Sequence, residues 1–196
     1  MRKSYLLSSL VTFIALTQVQ CNNKEPKTLV AAESTFNGFE SQVEWGRHLV
    51  TVSACHDCHS PKIMTPQGPE IDSSHMLAGH LASSPEPDVN KKEMQQKGLI
   101  VTSDLTTWVG PWGTSYTANL TSDATGIGNW TEAQFLLAIR EGKYKGLPGS
   151  RNLLPPMPWQ MYRNLRDEEL KAIFAYLQTT TPVKNIVPQP LPPQAK

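Results

Sequence analysis

No block of basic residues runs through this 196-residue sequence, and loss of Arg2 and Lys3 with a leader would take its formal charge from +1 to −1. Too little positive charge is left to neutralise phosphates, which excludes nucleic acid as a partner. An apolar run of the roughly 20 residues that a spanning helix needs is also missing. The run from Tyr5 to about Leu16 is shorter and follows Met1-Arg2-Lys3, the charged-then-apolar order of a secretory signal. Export follows, to the periplasmic side of a bacterial membrane.

Cysteine is scarce. Three is an odd number, so a closed disulfide framework cannot use them all. Cys21 falls just after the apolar run and opens the polar stretch Asn22-Asn23-Lys24-Glu25-Pro26, as in a lipoprotein leader, although Gln18, Val19 and Gln20 depart from the usual lipobox. Acylation of Cys21 would account for the third thiol and anchor the chain in a membrane; the other reading is an ordinary leader and a soluble periplasmic protein. Internal repeats are absent. Proline is the residue in excess, 16 against an average of about one in twenty, which favours stiff irregular segments between helices.

These features divide the chain into a leader (1–21), a flexible polar tether (22–38), one folded domain (39–188) and a Pro-rich tail (189–196). Val43, Gly46, Leu49, Val50 and Val52 recur at helical spacing, with Gly46 placed to let another helix approach. Residues 60 to about 104 lack periodicity and read as an elaborated loop region, with a short polar helix around Asn90 to Gln96. Thr131 and Gln134 form a capping box before the stripe Phe135, Ala138 and Ile139, and Gly142 can end that helix. Asp167-Glu168-Glu169 suits the positive end of a last helix bearing Leu170, Ile173, Phe174 and Leu177. Beyond Thr180 the prolines predict an extended tail that packs on the surface and then frays.

The chemistry-bearing motif is Cys55-His56-Asp57-Cys58-His59, a C-x-x-C-H sequence that attaches c-type haem. Two thiols at i and i+3 share one helical face and can add across the haem vinyl groups, while His59 comes beneath the iron. His56 and Asp57 are spacers on this reading. A zinc site built from Cys55, Cys58, His75 and His80 is the first rival, but its loop between Cys58 and His75 is slightly long and it leaves His59 unexplained. A thiol–disulfide redox pair is the second, and no β-α-β pattern surrounds it.

For the sixth iron ligand, Pro155-Pro156-Met157-Pro158-Trp159 sets a thioether in a stiff loop that loses little entropy on presenting its sulfur. Met161 is the runner-up, with His75 and His80 behind it. Met64, Met76 and Met94 read as filler or surface residues.

With these residues in view, the sequence resembles the class I cytochromes c, in the branch containing the cytochrome subunits of membrane-bound alcohol and gluconate dehydrogenases. The resemblance rests on Gly46 and Leu49 before the motif; Pro111-Trp112-Gly113-Thr114 and Tyr116; Asn119-Leu120-Thr121; Thr125-Gly126-Ile127-Gly128-Asn129-Trp130-Thr131; Pro156-Met157-Pro158-Trp159; and Ala172-Ile173-Phe174-Ala175-Tyr176-Leu177. It covers roughly residues 43 to 188. It implies an all-α fold in which the first and last helices cross around one covalent haem, with Tyr116, Asn119 and Trp130 hydrogen-bonding the haem propionates. It also implies redox protein partners, a dehydrogenase as donor or an oxidase or cytochrome as acceptor. The dehydrogenase subunits carry several haem modules where this chain has one motif, and Arg166 stands where a Ser or Thr cap is usual. Two function classes follow: electron transfer with His59 and Met157 on the iron, or a haem-based sensor or peroxidase-like enzyme with an open iron site. Haem chemistry on bound substrates needs acid/base groups that the sequence does not display, which favours the first.

Overall fold

The computed structural model describes residues 36–194. The proposed leader, the acylation site Cys21 and most of the tether lie outside the described residues. Ser41 caps α1 (Gln42–Val52) by accepting from the Glu44 amide at 3.1 Å. Trp45, Gly46, Leu49 and Val50 are its buried face. Val52, read from the spacing as part of the apolar stripe, is 62% exposed, and Trp45 takes the inward position instead. The partner is α6 (Asp167–Leu177), which buries Leu170, Ala172, Ile173 and Leu177. A Cβ on Gly46 would sit 1.9 Å from the Ala172 carbonyl oxygen, so the two backbones meet where only glycine fits. Each large side chain buried here contributes roughly 1.5–3 kcal/mol.

Between these helices lie α2 (Cys55–His59), α3 (Lys91–Gln96), α4 (Glu132–Glu141) and the single turn α5 (Trp159–Tyr162). The capping box of α4 is present: Gln134 N–H donates to Thr131 Oγ1 at 3.2 Å and Thr131 N–H donates to Gln134 Oε1 at 2.9 Å. Gly142 ends the helix in the left-handed region at φ +64°. Asn90 caps α3 at 3.1 Å. At the start of α6, Arg166 cannot act as a Ser or Thr cap; the Glu169 carboxylate reaches back to accept from the Arg166 amide at 2.7 Å.

The all-α expectation is overturned. Helical residues make up 33% of the described chain, and two antiparallel sheets make the fold mixed α/β. Strands β1 (Lys62–Thr65) and β2 (Gly68–Ile71) form a hairpin. A second sheet runs β3 (Val101–Thr102), β4 (Thr107–Gly110), β5 (Gly113–Tyr116). Thr107, Trp108 and Val109 register against Tyr116, Ser115 and Thr114, side chains that suit a pleated surface. Pro111 and Trp112 make a two-residue turn, which Gly113 closes at φ +103°.

The tail does not fray where the structure describes it. Asn185 is 7% exposed although it lies in an irregular segment. Its Nδ2 donates to the Ala78 and His80 carbonyls at 2.8 and 2.9 Å, and its Oδ1 accepts from the Ala82 amide at 3.2 Å. Further on, Leu191 exchanges both backbone hydrogen bonds with Thr114, at 2.9 and 3.0 Å, adding one rung to the edge of β5.

Candidate functional site

One cavity of about 300 Å³ gathers Cys55, Cys58 and His59 with Met157. Ala54, in the left-handed region at φ +55°, breaks α1 from α2 and turns the motif helix onto the cavity. Tyr162, which also borders the cavity, fixes this break, its hydroxyl donating to the Ser53 carbonyl at 2.7 Å.

The histidine of the motif is 9% exposed and its orientation is set by the backbone. His59 Nδ1 lies 2.8 Å from the Ala118 carbonyl oxygen, an acceptor only, so Nδ1 carries the proton and Nε2 keeps a free lone pair. Burial lowers the His59 pKa, with the Ala118 contact opposing it, which keeps the ring neutral as a metal ligand requires. The Gly79 amide donates to the His59 carbonyl at 2.8 Å, and Ser60 Oγ accepts from the Leu77 amide at 3.0 Å.

Both motif thiols are free. Burial pushes the Cys55 thiol up to about 11 and raises Cys58 as well. A thiol redox pair needs a stabilised thiolate, and this environment disfavours one. The zinc arrangement is not assembled either. His75 Nδ1 pairs with Asp72 at 2.6 Å, His80 is 1% exposed and bound between Thr106 and Thr107 at 2.9 and 2.6 Å, and among the described residues no three His, Cys, Asp or Glu side chains converge.

Among the described methionines only Met157 borders the cavity; Met161, the runner-up, is 69% exposed and lies elsewhere. The Met157 loop is tied down by Ser115, whose hydroxyl donates to the Pro155 carbonyl at 2.6 Å while accepting from Trp112 Nε1 at 3.1 Å. Tyr116, Asn119 and Trp130 border the cavity too. The Tyr116 hydroxyl donates to Glu86, which also pairs with Lys91, and burial raises its pKa. Asn119 Oδ1 accepts from the Thr121 amide at 2.9 Å and its Nδ2 donates to the Val183 carbonyl at 2.9 Å.

The cavity fits a large apolar group with a polar edge. Phe135, Ile139, Leu170 and Ile173 supply the apolar wall, and among the described residues the only formally charged side chains on it are Lys145 and Arg151. Among the same residues no Asp, Glu or second His borders it. Thr117 borders the same space, and its Oγ1 is fully buried with no hydrogen-bond partner. The Ala118 carbonyl, Thr117 and Tyr162 were not singled out in the sequence: a backbone acceptor has no residue signature, and a lone Thr or Tyr carries none.

No protein-family model matches the chain. Over 79 residues it is 42% identical to a nicotinate dehydrogenase subunit of Pseudomonas putida, covering 40% of this chain and 6% of that protein. Over 70 residues it is 40% identical to the fructose dehydrogenase cytochrome subunit of Gluconobacter japonicus, covering 35% and 14%. Over 67 residues it is 40% identical to the gluconate 2-dehydrogenase cytochrome c subunit of Pantoea cypripedii, covering 34% and 14%. The chain therefore matches only 6% to 14% of these relatives' lengths. The similarity supports the branch of dehydrogenase cytochrome subunits through part of the chain.

Proposed function

We propose that this chain is an exported electron-transfer protein holding one haem covalently through Cys55 and Cys58, with His59 and Met157 as axial ligands. When bound, haem c supplies a one-electron iron couple. The observation that carries the reading is a single cavity bordered by two free thiols, a neutral His59 whose Nδ1 is already engaged, and Met157. Ala118 holds the imidazole in the tautomer that leaves Nε2 for the metal, and such a second contact also makes the ligand more basic. Ser115 and the prolines hold the sulfur with little conformational freedom to lose. Trp130 remains a candidate partner for a propionate, while Tyr116 and Asn119 border the cavity with their polar groups engaged by Glu86 and by Thr121 and Val183.

The partial similarity to dehydrogenase cytochrome subunits supports a redox partner of the dehydrogenase type, with an oxidase or a second cytochrome as acceptor. Anchoring through acylated Cys21 would keep the chain at the periplasmic face of the membrane beside that partner. The test is a reduced-minus-oxidised spectrum on the exported protein together with haem staining after denaturation. A c-type spectrum with stain retained on the chain is expected; no haem, or haem released by acid and organic solvent, would overturn the reading.

A further inference from the structure

We infer that residues 186–190 form a strap across the haem cavity, pinned at Asn185 and Leu191, which shields the haem from water and holds its potential up. This rests on the haem reading above and gives a role to a segment read from sequence as extended and packed on the surface. Ile186, Val187, Pro188, Gln189 and Pro190 all border the cavity, although none belongs to a helix or strand. Val187, Pro188 and Pro190 are half-buried, while Ile186 is 71% exposed and Gln189 is exposed too. The strap therefore borders the cavity along its length while staying partly open to water.

Its two ends are fixed by different means. At one end the Asn185 side chain binds three backbone groups of residues 78–82, and its own amide donates to Thr125 Oγ1 at 2.9 Å. Asn119, on the cavity wall, reaches the carbonyls of Val183 and Asn185 at 2.9 and 3.4 Å. At the other end Leu191 pairs with Thr114, and a Cβ on Gly113 would lie 2.0 Å from the Leu191 carbonyl oxygen, so that approach is available to glycine alone. The two prolines between the pins stiffen an extended run and leave it few alternative paths. Burial from solvent is one of the protein's levers on a haem potential, because water stabilises the more highly charged oxidised iron.

The experiment compares the haem-loaded wild-type chain with the double variant Asn185→Ala, Leu191→Pro, which removes the side-chain pin and the Leu191 N–H donor. Hydrogen exchange at the amides of Ala82, Thr114 and residue 185, which donate to Asn185 Oδ1, the Leu191 carbonyl and Thr125 Oγ1, reports the pins, and a redox titration reports the potential. Exchange at these amides should quicken, about tenfold or more as expected when buried hydrogen bonds are lost. The potential should fall, and added imidazole should bind the oxidised form faster. Faster exchange with an unchanged potential and unchanged imidazole binding would overturn the shielding role, and unchanged exchange would overturn the pins. If the double variant does not fold, Val187→Gly keeps both pins and thins the wall; a lowered potential supports the inference and an unchanged one overturns it. Wild-type protein that carries no covalent haem defeats the functional reading itself, a result separate from all of these.

Discussion

His59 and Met157 border the same cavity but are positioned by different means. His59 is held by direct contacts between distant backbone segments: Ala118 accepts from its ring, and Gly79 donates to its carbonyl. Met157 has no such partner for its sulfur among the described contacts; its loop is placed by prolines, by the Ser115 clamp on Pro155 and by packing against the core. The histidine wall should therefore respond to backbone changes some twenty residues away. The methionine wall should tolerate loss of its clamp while depending on the side chain itself.

The largest effect should come from Gly79→Ala. Gly79 sits at φ +70°, and an added Cβ would lie 2.5 Å from the Thr117 carbonyl oxygen and the Ala118 carbonyl carbon, the group that orients His59. Left-handed strain and overpacking together should cost about 3 kcal/mol, read as a lowered urea midpoint and a perturbed haem spectrum. Met157→Ala should cost about 2 kcal/mol, the low end for a half-buried methionine. It should also abolish the weak sulfur-to-iron band at the red edge of the visible spectrum and lower the potential, with haem still attached. An unchanged band in Met157→Ala would dissolve the contrast between the two walls.

Ser115→Ala should cost about 1 kcal/mol, because the Pro155 carbonyl and the Trp112 indole N–H lose a partner. The sulfur-to-iron band should survive it. Asp72, remote from both walls, sets the bottom of the scale. Contacts from Ser74 and His75 lower its pKa to about 2. A depressed carboxylate pKa means the stabilisation is present above the ordinary aspartate value near 4 and is lost as the pH falls toward about 2. The group borders solvent and is screened, so Asp72→Asn should cost less than about 0.5 kcal/mol at pH 6. The difference from wild type should vanish near pH 2 in urea titrations.

The same contrast explains what could be read before the structure was known. Periodic apolar spacing and caps reveal helices, so α1, α3, α4 and α6 were legible from Gly46, Asn90, Thr131 and Leu170 onward. The motif and the proline-bounded Met157 were legible because their chemistry is local in sequence. The two sheets were not: β1 to β5 are two to four residues long, too short for alternation to show. Contacts joining distant positions left no pattern at all, as with Asn185 to Ala78 or His59 to Ala118. Nothing in the composition marks an asparagine in a proline-rich tail as a buried clamp.

The most direct test of the central claim is the intact mass of the exported chain after denaturation, measured beside Cys55→Ser and Cys58→Ser variants. The account expects wild-type protein to retain the added mass of one haem, each single variant to hold haem through one remaining bond or lose it, and the double variant to retain none. Wild-type chains at the bare polypeptide mass, or haem retained when both cysteines are gone, would contradict it.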